Sequence, residues 1–223
     1  MDAVNFPTKE IFEEFISLHE ASHAFMAMLE GQQIYDIVPF EVEIVKYEDR
    51  VRIEMGGSVD YGPFESDSSE DPSPESLFRI ALAGPSIAKA GILQSYEEKA
   101  YDNDYKHVAE ALQTIALKKL GKQLSDRQIA KITKNAHQRM YEILSEERFR
   151  LGISLIKEFM TSDSLVERNA DNIHYLIEGH LSNYGIDEGQ LQVMRETIRE
   201  KIDPCIFLRR GFIDRLKMLL RKK

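Results

Sequence analysis

The pentapeptide His19-Glu20-Ala21-Ser22-His23 constrains this chain more than any other stretch, because it lies inside a helical period. From Phe12 to Leu29 the apolar residues Phe12, Phe15, Ile16, Ala21, Phe25 and Met28 recur at spacings of three to five, as on a helix with one buried face. Thr8, just after Pro7, is a cap candidate, and Gly31 is placed to end the helix. Ile16 and Leu18 before the motif, and Ala24 and Phe25 after it, are uncharged, so both histidines fall on a buried stretch and need polar partners. One option is ordinary hydrogen bonding within the core. The other is a metal ion, because residues four apart share a helix face and both imidazoles can then reach one zinc ion. Glu20, beside the first histidine, is placed to act as general base toward an attacking water.

A catalytic zinc keeps three protein ligands and one open position. The long pattern in which a third histidine follows six residues after the second does not apply, since that position is Leu29 and the glycine it requires is Met26. Glu41 and Glu43 fall in a segment with strand periodicity and are expected to face solvent.

The period changes after Gly31. Val42 and Ile44, then Val51, Ile53 and Met55, alternate with Glu43, Arg52 and Glu54, which predicts two strands joined by a turn at Glu48-Asp49-Arg50. Gly56-Gly57 should interrupt or bend the second strand. From Glu65 to Glu75 there are five acidic residues, four serines and two prolines with no basic residue, a composition expected to form a mobile loop. Leu77 to Leu93 is apolar, with small residues at Ala81, Ala83, Gly84, Ala88 and Gly91, as in a helix closely packed by another element. Further helical periods run through Val108 and Ile115, Ile129 to Ile143, Leu151 to Phe159, and Ile173 to Ile177. The fold expected is α+β and predominantly helical: a zincin-like active-site helix, a small sheet, then a helical bundle. The expected division is a domain over 1–184 (zinc site 10–120, helical half 121–184) and a helical tail over 185–223.

The formal charge of −9 argues against a nucleic-acid binder, which needs a basic face. Residues 204–223 carry seven Lys or Arg against one Asp. A helix packed on the body is the first expectation there, and contact with a membrane surface the second. No apolar run approaches the roughly 18 residues of a membrane span. The lone Cys205 and the absence of a basic, apolar leader fit a cytoplasmic protein.

With these residues in hand, the chain resembles the peptidase domain of the FtsH-type ATP-dependent metalloproteases over roughly residues 10–180. The likeness is carried by His-Glu-Ala-Ser-His-Ala at 19–24, Ile80-Ala81-Leu82-Ala83-Gly84 opening a small-residue helix, Asn103-Asp104 before a helix with Ala109 and Ala111, and the helical half from Ile129 to Gly179. Ser22 stands where that family has glycine, Pro85 where it has arginine, and Lys99-Ala100-Tyr101-Asp102 where it has a threonine-glycine-alanine run. The resemblance implies zinc as cofactor, Asp104 as third ligand, a polypeptide substrate and assembly into a homo-oligomer. Asp102, His107 and Glu110 crowd the same helix start, with Asp102 the natural cap and His107 able to serve as a ligand or to contact Asp104. No phosphate-binding loop is present, so a stand-alone module acting without ATP on flexible chains is expected, the Ile53–Val59 strand offering an edge for substrate. The alternatives are a non-catalytic zinc-binding scaffold for a protein partner, which leaves Glu20 without a use, and a small-substrate metallohydrolase.

Overall fold

A computed structural model describes residues 9–46, 51–62, 72–88, 102–161 and 173–209, and of residues 38–46, 51–56, 88 and 102 the backbone alone. Helix α1 spans Lys9–Leu29 and is buried from Ile16 onward except at Leu18. Phe12, Phe25, Met26 and Leu29 are among the largest side chains that are fully inside. Each such side chain stabilises the fold by about 1.5–3 kcal/mol, so α1 is a fixed axis for whatever chemistry it carries. Thr8 lies outside the described residues. The helix stops as expected at Gly31, whose φ of 75° is a conformation that costs glycine nothing. The Gly31 N–H donates to the Met28 carbonyl at 3.0 Å and the Gln32 N–H to that of Ala27 at 2.9 Å, closing the helix end with a Schellman pair.

Strand β1 (Gln33–Lys46) follows at once and pairs antiparallel with β2 (Val51–Gly62) in a two-stranded sheet. β1 begins well before Val42, and its register shifts by one residue between Ile34 and Asp36. That extra residue puts Ile34 and Ile37 on the same buried side at a spacing of three, which hides the strand from a search for alternation. A second shift lies between Val38 and Glu41, around Pro39, which has no N–H for the ladder. The irregularity thus falls on β1 opposite Gly56-Gly57, and β2 runs on through both glycines. The Glu48-Asp49-Arg50 turn lies outside the described residues.

Helix α2 is Pro74–Ala88. Ser73 caps it, its hydroxyl accepting from the Ser76 N–H at 3.1 Å, with Pro74 in the first helical position where no N–H is needed. Pro74 and Glu75 therefore belong to a helix and not to the acidic loop, and residues 63–71 and 89–101 lie outside the described residues. Then come α3 (Asp102–Leu120), α4 (Asp126–Leu144), α5 (Glu147–Thr161), α6 (Ile173–Asn183) and α7 (Glu188–Lys201). The chain is predominantly helical, with one small antiparallel sheet among the described residues.

α1 packs against α2, α5, α7 and both strands. Against α5 the approach is close enough that a Cβ at Gly152 would meet the Phe25 ring at 2.5 Å. One hydrophobic core runs through all of these elements and on to Ile202, Phe207 and Leu208. Residues 185–209 thus share the core of the preceding helices, while 210–223 lie outside the described residues. Among the described residues no helix is long and apolar enough to cross a membrane.

The far end of α1 is clamped by charge. Glu30, with a fully buried side chain, accepts from Arg79 Nε at 2.6 Å and Nη2 at 2.8 Å, and from the Ser76 hydroxyl at 2.9 Å. From α7, Arg195 Nε donates to the Leu29 carbonyl at 2.6 Å, and Arg199 reaches Glu30 at 3.5 Å. These arginines neutralise a carboxylate placed at the negative end of a helix dipole and fix α1 against α2 and α7.

Candidate metal centre

α1 sets the His19 and His23 rings edge to face, 4.6 Å between centroids, with their Nε2 atoms 3.0 Å apart. The first turn of α3 delivers Asp104 to the same point. Its Oδ2 lies 3.1 Å from His19 Nε2 and its Oδ1 3.3 Å from His23 Nε2. Among the described residues these three form the one cluster of potential metal ligands, with all ligand atoms within 4.8 Å of one another. α3 is held in place to do this by Val108, Leu112 and Ile115, which are buried in the core.

The tautomer of His23 is set from α2. Its Nδ1 lies 2.8 Å from the Ile80 carbonyl, which can only accept, so Nδ1 carries the hydrogen and neutral His23 turns the Nε2 lone pair toward Asp104. Burial pushes the His23 pKa down, but the hydrogen bond and charge of Asp104, the charge of Glu20 and the Ile80 carbonyl outweigh it, and the pKa is raised. For Asp104 burial acts upward, and hydrogen bonds from His19 and His23 with their charges hold the carboxyl well below the usual carboxylate range. Imidazole lone pairs and a carboxylate facing one another demand a proton or a cation between them.

A zinc ion meets that demand. Bonds of about 2.0–2.1 Å in a tetrahedral set separate ligand atoms by about 3.3 Å, close to the 3.0–3.3 Å found here. Room exists because residue 84 is glycine. A Cβ there would stand 2.4 Å from His23 Nε2 and 2.8 Å from His19 Nε2, overlapping both rings. Two imidazoles and a carboxylate are a donor set suited to zinc.

Glu20 is buried on the same turn of α1, near enough for its charge to act on His23. His107 and Glu110 point elsewhere: both are exposed and pair with each other at 3.6 Å. Asp102 opens α3, and its side chain is outside the described set. Glu41 and Glu43 lie in β1, opposite Gly56 and Glu54.

Compared with protein-family models, with curated proteins and with solved structures, the chain finds no match. The residues of the site define its chemistry.

Two of those residues were not singled out from sequence. Tyr61, near the end of β2, is half-buried, and burial first, then the charges of Asp104 and Asp60, push its phenol up to about 12, so it remains a hydrogen-bond donor beside the centre. His137 on α4 is buried, with Nε2 2.8 Å from the Pro85 carbonyl. The strand position of Tyr61 gives no hint of Asp104, and His137 sits on an apolar helical face like many core histidines. The small-residue run of α2 did signal a close approach at Gly84, without naming the imidazoles as the neighbour.

Proposed function

We propose that this chain is a zinc-dependent, ATP-independent peptidase, a stand-alone module akin to the FtsH-type peptidase domain with a zincin-like helix. The observation that carries it is the convergence of His19, His23 and Asp104 at 3.0–3.3 Å with Glu20 on the same helical turn. Held by those three residues, zinc supplies Lewis acidity toward a peptide carbonyl and toward water. The Glu20 carboxylate takes a proton from the attacking water, the water oxygen bonds to the carbonyl carbon, and the C–N bond breaks. That proton passes from Glu20 to the departing amine nitrogen, so Glu20 ends the cycle as the carboxylate it began as. Asp104 offsets positive charge, and the Ile80 carbonyl keeps His23 in the tautomer that can ligate. A flexible polypeptide is the substrate class, paired along β2, whose neighbour in the sheet among the described residues is β1 alone.

The test is hydrolysis of unfolded casein and short fluorogenic peptides by zinc-loaded protein, with and without chelator. Chelator-sensitive cleavage, lost in Glu20→Gln while zinc content is kept, is the expected result. Zinc-loaded wild type that leaves every such substrate intact would instead favour a zinc-binding scaffold for a protein partner.

A further inference from the structure

We infer that His137 is a positioning residue for the histidine pair, acting through the Gly84–Pro85 backbone of α2. It matters to zinc only if His19 and His23 are ligands as proposed above. Its hydrogen bond is independent of that reading.

Pro85 lies inside α2, and its nitrogen cannot donate to the Ala81 carbonyl one turn back. The helix loses a bond of its ladder at the residue next to the site, where position matters most. A Cβ on Gly84 would overlap both imidazoles, so the α2 backbone runs against His19 and His23 with no side chain between them. One turn earlier on α2, the Ile80 carbonyl takes the His23 Nδ1–H at 2.8 Å. A shift of this helix by a few tenths of an ångström would alter both contacts.

α4 adds a tether from outside the helix at the same residue. The Pro85 carbonyl accepts a hydrogen bond at 2.8 Å from His137 Nε2, and a carbonyl can only accept, so Nε2 carries the hydrogen. Ser86, fully buried, donates its hydroxyl to the Leu82 carbonyl at 2.7 Å and lies 3.5 Å from the His137 carbonyl. The His137–Pro85 bond joins α2 to α4 in dry surroundings, where loss of a partner is costly. The His137 ring is therefore the far side of a clamp whose near side is the His23–Ile80 bond, with Gly84 between them.

The experiment reads imidazole tautomers by long-range 1H–15N NMR on the full chain, metal-free, and zinc affinity by competition titration. Wild type should show His137 protonated at Nε2 and His23 at Nδ1. His137→Leu should leave His23 exchanging between tautomers and weaken zinc binding about tenfold or more, the scale expected when an outer-shell partner is lost. His137→Gln, whose amide can still donate to the Pro85 carbonyl, should restore both. The role is overturned if wild-type His137 is protonated at Nδ1, or if His137→Leu keeps the His23 tautomer and the zinc affinity of wild type. Should His137→Leu fail to fold, the wild-type spectrum and His137→Gln decide by the same criteria: His137 protonated at Nε2 and a Gln variant with wild-type His23 tautomer and zinc affinity support the role, and a Gln variant that loses either overturns it. A wild type that binds no zinc, but whose His23 tautomer depends on residue 137, retains the positioning role and removes the metal reading.

Discussion

Glu30 and Arg79 form a buried two-pronged ion pair, 2.6 and 2.8 Å, that ties the end of α1 to the residue just before Ile80. The pair lies outside the candidate site, yet it sets the register in which His23 finds the Ile80 carbonyl.

Arg79→Met leaves the fully buried Glu30 carboxylate with Ser76 and the 3.5 Å contact of Arg199. Breaking one side of a buried pair costs about 3–5 kcal/mol because the remaining charge stays desolvated. Urea unfolding of Arg79→Met should show a loss of that order, and the double change Arg79→Met with Glu30→Leu should recover much of it. A single variant as stable as wild type would show that water reaches Glu30.

Gly84→Ala adds one methyl group, which would stand 2.4 Å from His23 Nε2. An imidazole cannot yield by bending like the end of a lysine, so the rings or the helix must move. Zinc affinity should fall by about 100-fold, the upper end of what disturbed ligand support costs, with the circular dichroism spectrum kept. Unchanged affinity by competition titration would mean that α2 does not lie against the ligands.

How legible was this from the sequence? α1 and the His19–His23 pair follow from local spacing, and so does the Gly31 stop, because each needs neighbours only four or five residues away. What failed needed distant contacts or a broken period. The bulge at Tyr35 reverses the alternation of β1, and the Ser73-Pro74 cap is hidden in an acidic run. The choice among Asp102, Asp104, His107 and Glu110 turns on how α3 packs against α2, which brings Asp104 to the imidazoles of α1. Arg195 and Arg199 count as solvated charge in a composition, yet they reach the Leu29 carbonyl and Glu30.

Metal-free protein should depend on pH in two directions. The folded pKa of His23 is raised above 6.5, so its contribution is fully present below about pH 6.5 and is lost as pH rises through the folded value. Asp104 is depressed from 3.8, so its contribution is present above about pH 4 and is lost as pH falls toward the folded value. The melting temperature of chelated protein should therefore peak between about pH 4 and about pH 6.5 as far as this pair is concerned. With His23 as a zinc ligand, as proposed, zinc has to displace the His23 proton, so the rise in melting temperature on adding zinc should grow from about pH 5.5 to about pH 8. A zinc effect that is flat across that range would speak against His23 as a ligand.

Asp104 and His107 stand on the same helix three residues apart and should respond in opposite ways to substitution. Asp104 faces both imidazoles at 3.1 and 3.3 Å, whereas His107 is exposed beside Glu110. Asp104→Asn keeps the shape and removes the charge, so zinc affinity should drop by about 100-fold or more and peptide hydrolysis should disappear. His107→Ala should leave both within about twofold, as an exposed residue away from the cluster would. A second readout requires no metal. The hydrogen bond and charge of Asp104 are the main forces holding the His23 pKa up against burial, so in chelated Asp104→Asn the His23 pKa, followed by NMR, should fall below that of wild type. If Asp104→Asn retains zinc and activity while His107→Ala loses them, the third ligand has been assigned to the wrong residue. If neither change affects zinc but the His23 pKa still falls, the His–His–Asp cluster is a proton-sharing core network and the metal is held elsewhere.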